Sequence, residues 1–295
     1  SAIEYRSRGS RMSIVSVVGA GQLGGMLTFT LATSERVREI RLIDTTEAIA
    51  SGIALDIQQA GAVERFDTTV VACRELQAVI GSDIVVLTGP AERPTTEWSD
   101  DDGLEILHQL GHLNRRALTV CAGSGHRRLV ERGAAETSLS GNRVIGSGPY
   151  ALQNALKILV AVELQCSALD VSLAVLGTPP THLVIPWSGA SVQGVQLSDL
   201  LSPKALDLIQ TRVIHRWPLG PYTLAAAAAR VCEVVLQGTS TYGITCYAVL
   251  NEKPHLRGRA AAVTASINRS GITKIIPPSV NVRERVALDN ALLNP

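Results

Sequence analysis

A glycine-rich run near the amino end constrains the fold of this chain more than any other feature. The run Gly19-Ala-Gly-Gln-Leu-Gly24 follows the β-branched stretch Ile14–Val18 and precedes a helical pattern that starts near Met26. A buried strand, a tight glycine turn and a helix in this order form the start of a strand–helix–strand unit, which builds parallel sheets. We therefore predict an α/β fold with a doubly wound parallel sheet.

The glycine spacing and a downstream acid form the fingerprint of a dinucleotide site. Gly19 permits the tight turn, Gly21 lets backbone N–H groups approach a pyrophosphate, and Gly24 lets helix and strand pack closely. Asp44 ends the next apolar run, where it can accept hydrogen bonds from ribose hydroxyls and repel a 2′-phosphate, which favours NAD over NADP. The alternative is a unit that keeps its glycines for packing alone. The candidate cofactor-binding residues are Gly19, Gly21, Gln22, Leu23, Gly24, Asp44 and Gly89.

The pattern of predicted elements changes near residue 148. Before it, short apolar strands alternate with helical stretches, which predicts a Rossmann dinucleotide-binding domain over residues 14–148. After it come a long apolar helix (152–164), a strand (171–176) and a polyalanine helix (224–237). Three antiparallel strands and a final helix over Val282–Leu293 complete a mixed α+β domain, residues 149–295.

Composition narrows the function classes. The net charge is +1, from 27 basic and 26 acidic residues, so nonspecific nucleic-acid binding has no electrostatic driving force. The 5 cysteines form no C-x-x-C pair, which argues against a disulfide framework and against zinc, and favours a reducing compartment. No apolar run reaches the ~18 residues that a membrane-spanning helix needs.

The first thirteen residues differ in composition from the rest of the chain. They contain Arg6, Arg8 and Arg11, several serines and one acid, Glu4. Residues 1–13 are therefore an amino-terminal extension, either the remnant of an organelle-targeting segment or vector sequence. The first alternative predicts the mitochondrial matrix, and the second leaves the cytoplasm as the expected location.

Six motifs resemble a known family of oxidoreductases. They are Val17-Val-Gly-Ala-Gly-Gln-Leu-Gly24, Arg41-Leu-Ile-Asp44, Ser51-Gly-Ile-Ala-Leu-Asp-Ile-Gln58, Asp83-Ile-Val-Val-Leu-Thr-Gly89, Asn142-Arg-Val-Ile-Gly146 and Val175-Leu-Gly177. In these motifs and their order, the chain resembles the lactate/malate dehydrogenase family over about residues 14–288. The resemblance implies NAD as cofactor and a dimer or tetramer that packs through the helix at 46–60.

The chain departs from this family wherever the resemblance places substrate chemistry. The family clamps a substrate carboxylate with an arginine, moves a proton through a histidine held by an aspartate, and polarises the carbonyl with an arginine on a mobile loop. The residues at the matching positions here are Gln153 (aspartate), Leu156 (clamping arginine), Pro179 (histidine), Glu92 and Trp98 (loop arginines) and Ala122 (substrate-positioning asparagine).

These substitutions predict a pseudoenzyme-like protein that keeps the fold and NAD but has lost 2-hydroxy acid dehydrogenase chemistry. We assign no catalytic residue; His182 and Arg93 remain as candidates for a displaced acid/base and clamp. The expected role is a binding or structural subunit, as a homo-oligomer or within a larger assembly, with no nucleic-acid partner.

Two other functions stay open. An apolar site lined by Leu156, Ala122 and Pro179 suits an active NAD-dependent oxidoreductase that acts on a neutral carbonyl or alcohol. A purely structural protein with an empty cofactor cleft is the third alternative. Cofactor binding separates the third from the others, and turnover separates an enzyme from a binding subunit.

Overall fold

A computed structural model describes residues 13–238, 243–251 and 256–293, so the amino-terminal extension lies outside the described residues except for Ser13. Six parallel strands form the first half of the main sheet. They pair in the order β3-β2-β1-β4-β5-β6, the doubly wound order that the sequence predicts. The strands are β1 (Ile14–Val18), β2 (Glu39–Ile43), β3 (Thr69–Cys73), β4 (Ile84–Leu87), β5 (Leu118–Cys121) and β6 (Val144–Gly146).

Four helices connect these strands: α1 (Gln22–Thr33), α2 (Glu47–Glu64), α3 (Asp100–Leu113) and α4 (Arg127–Glu136). The first begins directly after Gly21, four residues earlier than the apolar pattern predicts, so its first N–H groups belong to the glycine-rich run. At the start of α3, the Ser99 side chain accepts a hydrogen bond from the Asp102 N–H, and three acids occupy its first turn.

The second half adds antiparallel strands to the same sheet. Tyr247 in β12 pairs with Gly146 in β6, and β13 then pairs with β12, β14 and β8. The elements are α5 (Gly148–Leu164), β7 (Val171–Ser172), β8 (Leu176–Thr178), β9 (His182–Val184), β10 (Ser191–Val192), β11 (Val195–Gln196), α6 (Leu197–Leu200), α7 (Pro203–Ile214), α8 (Pro221–Gln237), β12 (Ile244–Val249), β13 (Ala260–Asn268), β14 (Gly271–Ile276) and α9 (Val282–Leu293). The predicted α/β class with antiparallel strands in the second half is confirmed.

The single strand expected at 171–176 is wrong. Val171–Ser172 pairs with β10 in a separate three-stranded sheet, whereas Leu176–Thr178 pairs with β9 and β13 in the main sheet. The chain passes from one sheet to the other between them, and the largely apolar run 171–176 gives no local sign of this change.

The polyalanine helix α8 packs against α1 and α5. Its alanines at 225 and 227–229 are buried, and small side chains allow close approach of neighbouring helices. Within the described residues, the helices are too short or too polar to cross a membrane.

The close packing of α1 on β1 gives a paired stability prediction. A Cβ at Gly24 would collide with the backbone carbonyl oxygen of Gly19, whereas a Cβ at Gly25 would make only an ordinary contact, 3.6 Å from Ile53. Gly24→Ala should therefore lower the free energy of unfolding by about 2 kcal/mol or more. Gly25→Ala should raise it by about 0.5–1 kcal/mol, because alanine has the higher helix propensity.

Urea unfolding of the two variants beside the unchanged chain measures both effects. Equal destabilisation by both substitutions would contradict the prediction.

Candidate cofactor and substrate cleft

The glycine-rich run lies where the strand order reverses, between β1 and β4, at the carboxyl ends of the parallel strands. Ligands of doubly wound sheets bind at this point. The backbone at Gly19 has φ +111°, and its N–H donates to the Ile43 carbonyl at 2.8 Å. We call residues 19–24 the cradle, because their backbone N–H groups are the ones that face a ligand at this edge of the sheet.

The cradle is in contact with the chain that follows β4. The Gly21 N–H donates to the Gly89 carbonyl oxygen at 3.0 Å, and the Gln22 N–H donates to the Pro94 carbonyl oxygen at 2.8 Å. A Cβ built on Gly21 would lie 3.0–3.1 Å from three carbonyl oxygens, those of Gly89, Pro90 and Pro94. We call residues 89–98 the cleft segment, since it lies directly against the cradle.

Asp44 is buried and accepts three backbone hydrogen bonds. Its Oδ2 accepts from the Ala20 N–H at 2.8 Å and from the Ala91 N–H at 2.9 Å, and its Oδ1 accepts from the Thr46 N–H at 2.8 Å. Only 5% of its surface is exposed. The carboxylate expected to bind ribose hydroxyls therefore joins the cradle to the cleft segment.

The far end of the cleft segment is held by Glu97. One Glu97 carboxylate oxygen accepts from the Ser124 N–H at 2.7 Å, and the other accepts from the Gly125 N–H at 3.3 Å. Ser124 and Gly125 lie in the turn between β5 and α4, across the cleft from the cradle. The segment therefore crosses the cleft from the end of β4 to the turn after β5.

The Trp98 residue also fixes this end of the segment, through hydrogen bonds to the ends of β1 and β4. Its indole Nε1–H donates to the Val18 carbonyl oxygen at 2.9 Å, and its backbone N–H donates to the Thr88 carbonyl oxygen at 3.2 Å. The ring packs against the main hydrophobic core. Sequence reasoning treated Trp98 only as a missing arginine, and Glu97 carried no local signal at all.

His126 is a buried histidine that sequence reasoning missed. Its Nδ1 accepts from the Gly123 N–H at 3.0 Å, so the neutral ring carries its proton on Nε2, which donates to the Trp98 carbonyl oxygen at 3.1 Å. Burial lowers the pKa of His126, and the nearby Glu97 carboxylate opposes that shift. The ring is neutral and connects the turn after β5 to the cleft segment.

The substrate end of the cleft contains apolar groups at the positions singled out above. Residues 148–156 carry no charged side chain, so a one-residue change of register would not restore an acid or an arginine. Leu156 is fully buried in the core, and Ala122 is buried as well. Burial raises the pKa of the adjacent Cys121 thiol to about 12, which keeps it protonated and unreactive.

Three further features belong to this end: a hydrogen bond at Pro179, the amide of Gln153 and the ammonium group of Lys157. The Pro179 carbonyl oxygen accepts a hydrogen bond from the buried Tyr247 hydroxyl at 3.3 Å. The Gln153 Oε1 atom is buried without a hydrogen-bond partner among the described residues. Lys157, which directly follows the uncharged stretch 148–156, is half-buried, and burial lowers its pKa.

The structure places the two candidate catalytic residues among different neighbours. Arg93 is in the cleft segment, where its guanidinium donates to Asp102 at 3.0 Å, at the start of α3. His182 is exposed on β9 and lines a recess with Ala287 and Asn290 of α9. Each contacts a different helix, so these contacts give no sign of a shared acid/base and clamp.

Two remaining candidate cofactor residues, Leu23 and Gly89, would contribute backbone groups and not side chains to the site. The Leu23 side chain is buried, so only its backbone N–H is placed to face a ligand. The Gly89 carbonyl oxygen is the partner of the Gly21 N–H, so this residue faces the cradle as an acceptor.

A dinucleotide does not fit the cradle in this arrangement. A pyrophosphate needs free N–H donors at the start of α1, and a ribose needs free carboxylate acceptor sites. The N–H groups of Gly21 and Gln22 and the carboxylate of Asp44 are instead all hydrogen-bonded to the cleft segment, at Gly89, Pro94 and Ala91 respectively.

The doubly wound fold, the glycine-rich run and the acid at the end of β2 together place this chain in the class of proteins with an NAD-binding dehydrogenase fold. The family described as "lactate/malate dehydrogenase, NAD binding domain" matches residues 13–101. The malate dehydrogenase of Chlorobium phaeobacteroides is 26% identical over 293 residues, covering 94% of each chain. That of Bacteroides fragilis is 26% identical over 291 residues, covering 93% of each.

Solved structures with the same fold extend over nearly the whole chain. The lactate dehydrogenase of Cryptosporidium parvum, complexed with lactic acid and nicotinamide adenine dinucleotide, superposes with a TM-score of 0.86 at 20% identity, covering 95% of each chain. The malate dehydrogenase of Plasmodium falciparum in complex with NADH gives 0.85 at 18% identity, again covering 95% of each. The chain is thus similar to lactate/malate dehydrogenases in sequence and in fold, and NAD is the candidate cofactor.

The buried His126 predicts a loss of stability on mild acidification. Burial lowers its pKa in the folded chain, so below the ~6.5 of a free histidine the unfolded chain binds more protons. The contribution of a neutral His126 to stability is complete above that pH and falls as the pH drops towards the folded pKa.

Between about pH 7.5 and about pH 5.5, the free energy of unfolding should fall further in the unchanged chain than in His126→Gln, by at most about 1.4 kcal/mol. Glutamine keeps one acceptor and one donor but does not titrate. Parallel pH profiles of the two proteins would contradict the prediction.

Proposed function

We propose that this chain has lost 2-hydroxy acid dehydrogenase chemistry and acts as a binding or structural subunit. The observation that carries the proposal is the uncharged stretch 148–156 at the substrate end, with the fully buried Leu156 where the family resemblance places the carboxylate-clamping arginine. An aliphatic side chain cannot pair with a carboxylate, and an unpaired carboxylate is costly to desolvate there.

Among the described residues singled out at this end of the cleft, we find no group placed for proton transfer. Pro179 stands where the resemblance places the proton-shuttling histidine, and proline has no titratable group. The Tyr247 hydroxyl that contacts it is deeply buried, and burial raises its pKa, so the hydroxyl keeps its proton. The nearest buried histidine, His126, is engaged by two backbone groups.

A role in an assembly is supported by the surface of α2. Ile49, Leu55 and Val63 on this helix are exposed, with 79% of Val63 accessible. Exposed apolar side chains on one helix are typical of interaction surfaces. We propose a homo-oligomer or a larger assembly that uses this face, in the mitochondrial matrix or the cytoplasm.

An NAD-dependent oxidoreductase that acts on a neutral carbonyl or alcohol is the alternative. Leu156, Ala122 and Pro179 are all apolar and buried, so the positions where the resemblance places substrate chemistry favour a neutral substrate over an anionic one.

Absorbance of NADH in the presence of oxaloacetate, pyruvate and a panel of neutral aldehydes and ketones tests both functions. For the two oxo acids we expect kcat/KM below about 10 M⁻¹ s⁻¹, against ~10⁴ M⁻¹ s⁻¹ at the low end for typical enzymes. The variant Gly21→Val serves as the blank, because activity that persists in it belongs to a contaminating host enzyme.

Turnover of an oxo acid that disappears in the blank would overturn the proposal. Turnover of a neutral carbonyl that disappears in the blank would establish the alternative.

A further inference from the structure

We propose that the cleft segment is a built-in occupant of the dinucleotide cradle, fastened by Glu97 and Trp98, and that a dinucleotide binds only when the segment is displaced. The inference concerns the cofactor half of the cleft. It does not rest on the proposed loss of substrate chemistry, because it is argued from the hydrogen bonds of the cleft segment and not from the absence of an arginine at position 98.

Carbonyl oxygens of the segment take up the N–H groups that a pyrophosphate would use. The Gly89 and Pro94 oxygens accept from Gly21 and Gln22 at 3.0 and 2.8 Å, which are ordinary lengths for strong N–H···O bonds. Because Gly21 has no side chain, three carbonyl oxygens approach it closely. The close approach that glycine permits here is used by the protein's own backbone.

The ribose-binding carboxylate is occupied in the same way. Asp44 Oδ2 accepts from the Ala91 N–H in the segment as well as from the Ala20 N–H in the cradle. A ribose hydroxyl would have to compete with Ala91 for that oxygen. Hydrogen bonds to an ionised acceptor are among the stronger ones in proteins, so this contact resists displacement.

The fastening contacts lie at the other end of the segment. Glu97 accepts from the Ser124 and Gly125 N–H groups, and Trp98 donates from its indole to the Val18 carbonyl oxygen. His126 adds a donated hydrogen bond to the Trp98 carbonyl oxygen. The segment is thus anchored to the ends of β1 and β5, and these bonds oppose its displacement from the cradle.

A competing occupant lowers the apparent affinity for a ligand by the fraction of molecules in which the cradle is free. A dinucleotide would replace the hydrogen bonds between segment and cradle with its own phosphate and ribose hydrogen bonds, so the free energies of these two sets of contacts roughly balance. The contacts of Glu97 and Trp98 have no counterpart in the ligand. Their loss is the cost of displacement, and removing them should increase the affinity.

The test uses NADH as the probe and isothermal titration as the readout. The double variant Glu97→Ala/Trp98→Phe removes both fastening contacts while keeping an aromatic ring in the core. Glu97→Gln is the matched control, because its amide oxygen can still accept from Ser124. We expect the double variant to bind NADH at least about tenfold more tightly than the unchanged chain, and Glu97→Gln to lie close to the unchanged chain.

Amide hydrogen exchange supplies a second readout that needs no ligand. In the unchanged chain, the amides of Gly21, Gln22 and Ala91 should exchange slowly, because each is hydrogen-bonded across the cleft. In the double variant, the same three amides should exchange faster while those of the core strand β5 stay protected. Protection of β5 also shows that the variant is folded.

Three results would each overturn the proposal. The first is tight NADH binding by the unchanged chain with no rise in amide exchange outside the cradle. The second is a folded double variant with no gain in NADH affinity, and the third is fast amide exchange of Gly21 and Gln22 in the absence of ligand. None of them depends on turnover. Failure of this inference is therefore distinguishable from failure of the proposed function, which only the substrate panel decides.

Discussion

The cleft depends on one buried carboxylate. Asp44 sits at the end of β2 with three backbone N–H donors from three loops, those after β1, β2 and β4. A buried charge without donors would be strongly unfavourable, whereas these hydrogen bonds stabilise it. Because one of its oxygens receives both Ala20 and Ala91, the position of the glycine-rich turn and the position of the cleft segment are set together.

Much of the fold could be predicted from local pattern. The strand at Ile14–Val18 and the helix at Val282–Leu293 lie where the sequence places them, and the order of the parallel strands follows from the alternation of strands and helices. The two-residue strands β10 and β11 were not predicted, because so short a run shows no periodicity. The division into domains 14–148 and 149–295 stays a prediction, since one sheet runs through both.

The cleft could be predicted in part. The glycines of the cradle and Asp44 could be identified from their spacing, since the fingerprint is local to residues 19–44. The contacts around these residues could not be predicted, because they join residues far apart in the chain. They are the contacts of Trp98 with Val18, of Ala91 with Asp44 and of Glu97 with Ser124. The sequence shows that an expected arginine is absent at position 98 but not what a tryptophan in that place contacts.

The substitution at position 98 connects the two halves of the cleft. An arginine there would carry a charge that needs water or an anionic ligand, and it would favour a segment that stays mobile and solvated. An indole instead packs against the core and donates a single hydrogen bond inward, to Val18. A tryptophan at this position therefore stabilises the segment against the core, where the resemblance places a solvated arginine.

This arrangement alters what the protein gains from a cofactor. In a cradle open to water, a bound dinucleotide stabilises the fold in proportion to its affinity and concentration. Here the N–H groups of Gly21 and Gln22 and the carboxylate of Asp44 are already satisfied within the chain. The folded state therefore holds its cleft together without a ligand, and a dinucleotide would add to its stability only what exceeds the contacts it displaces.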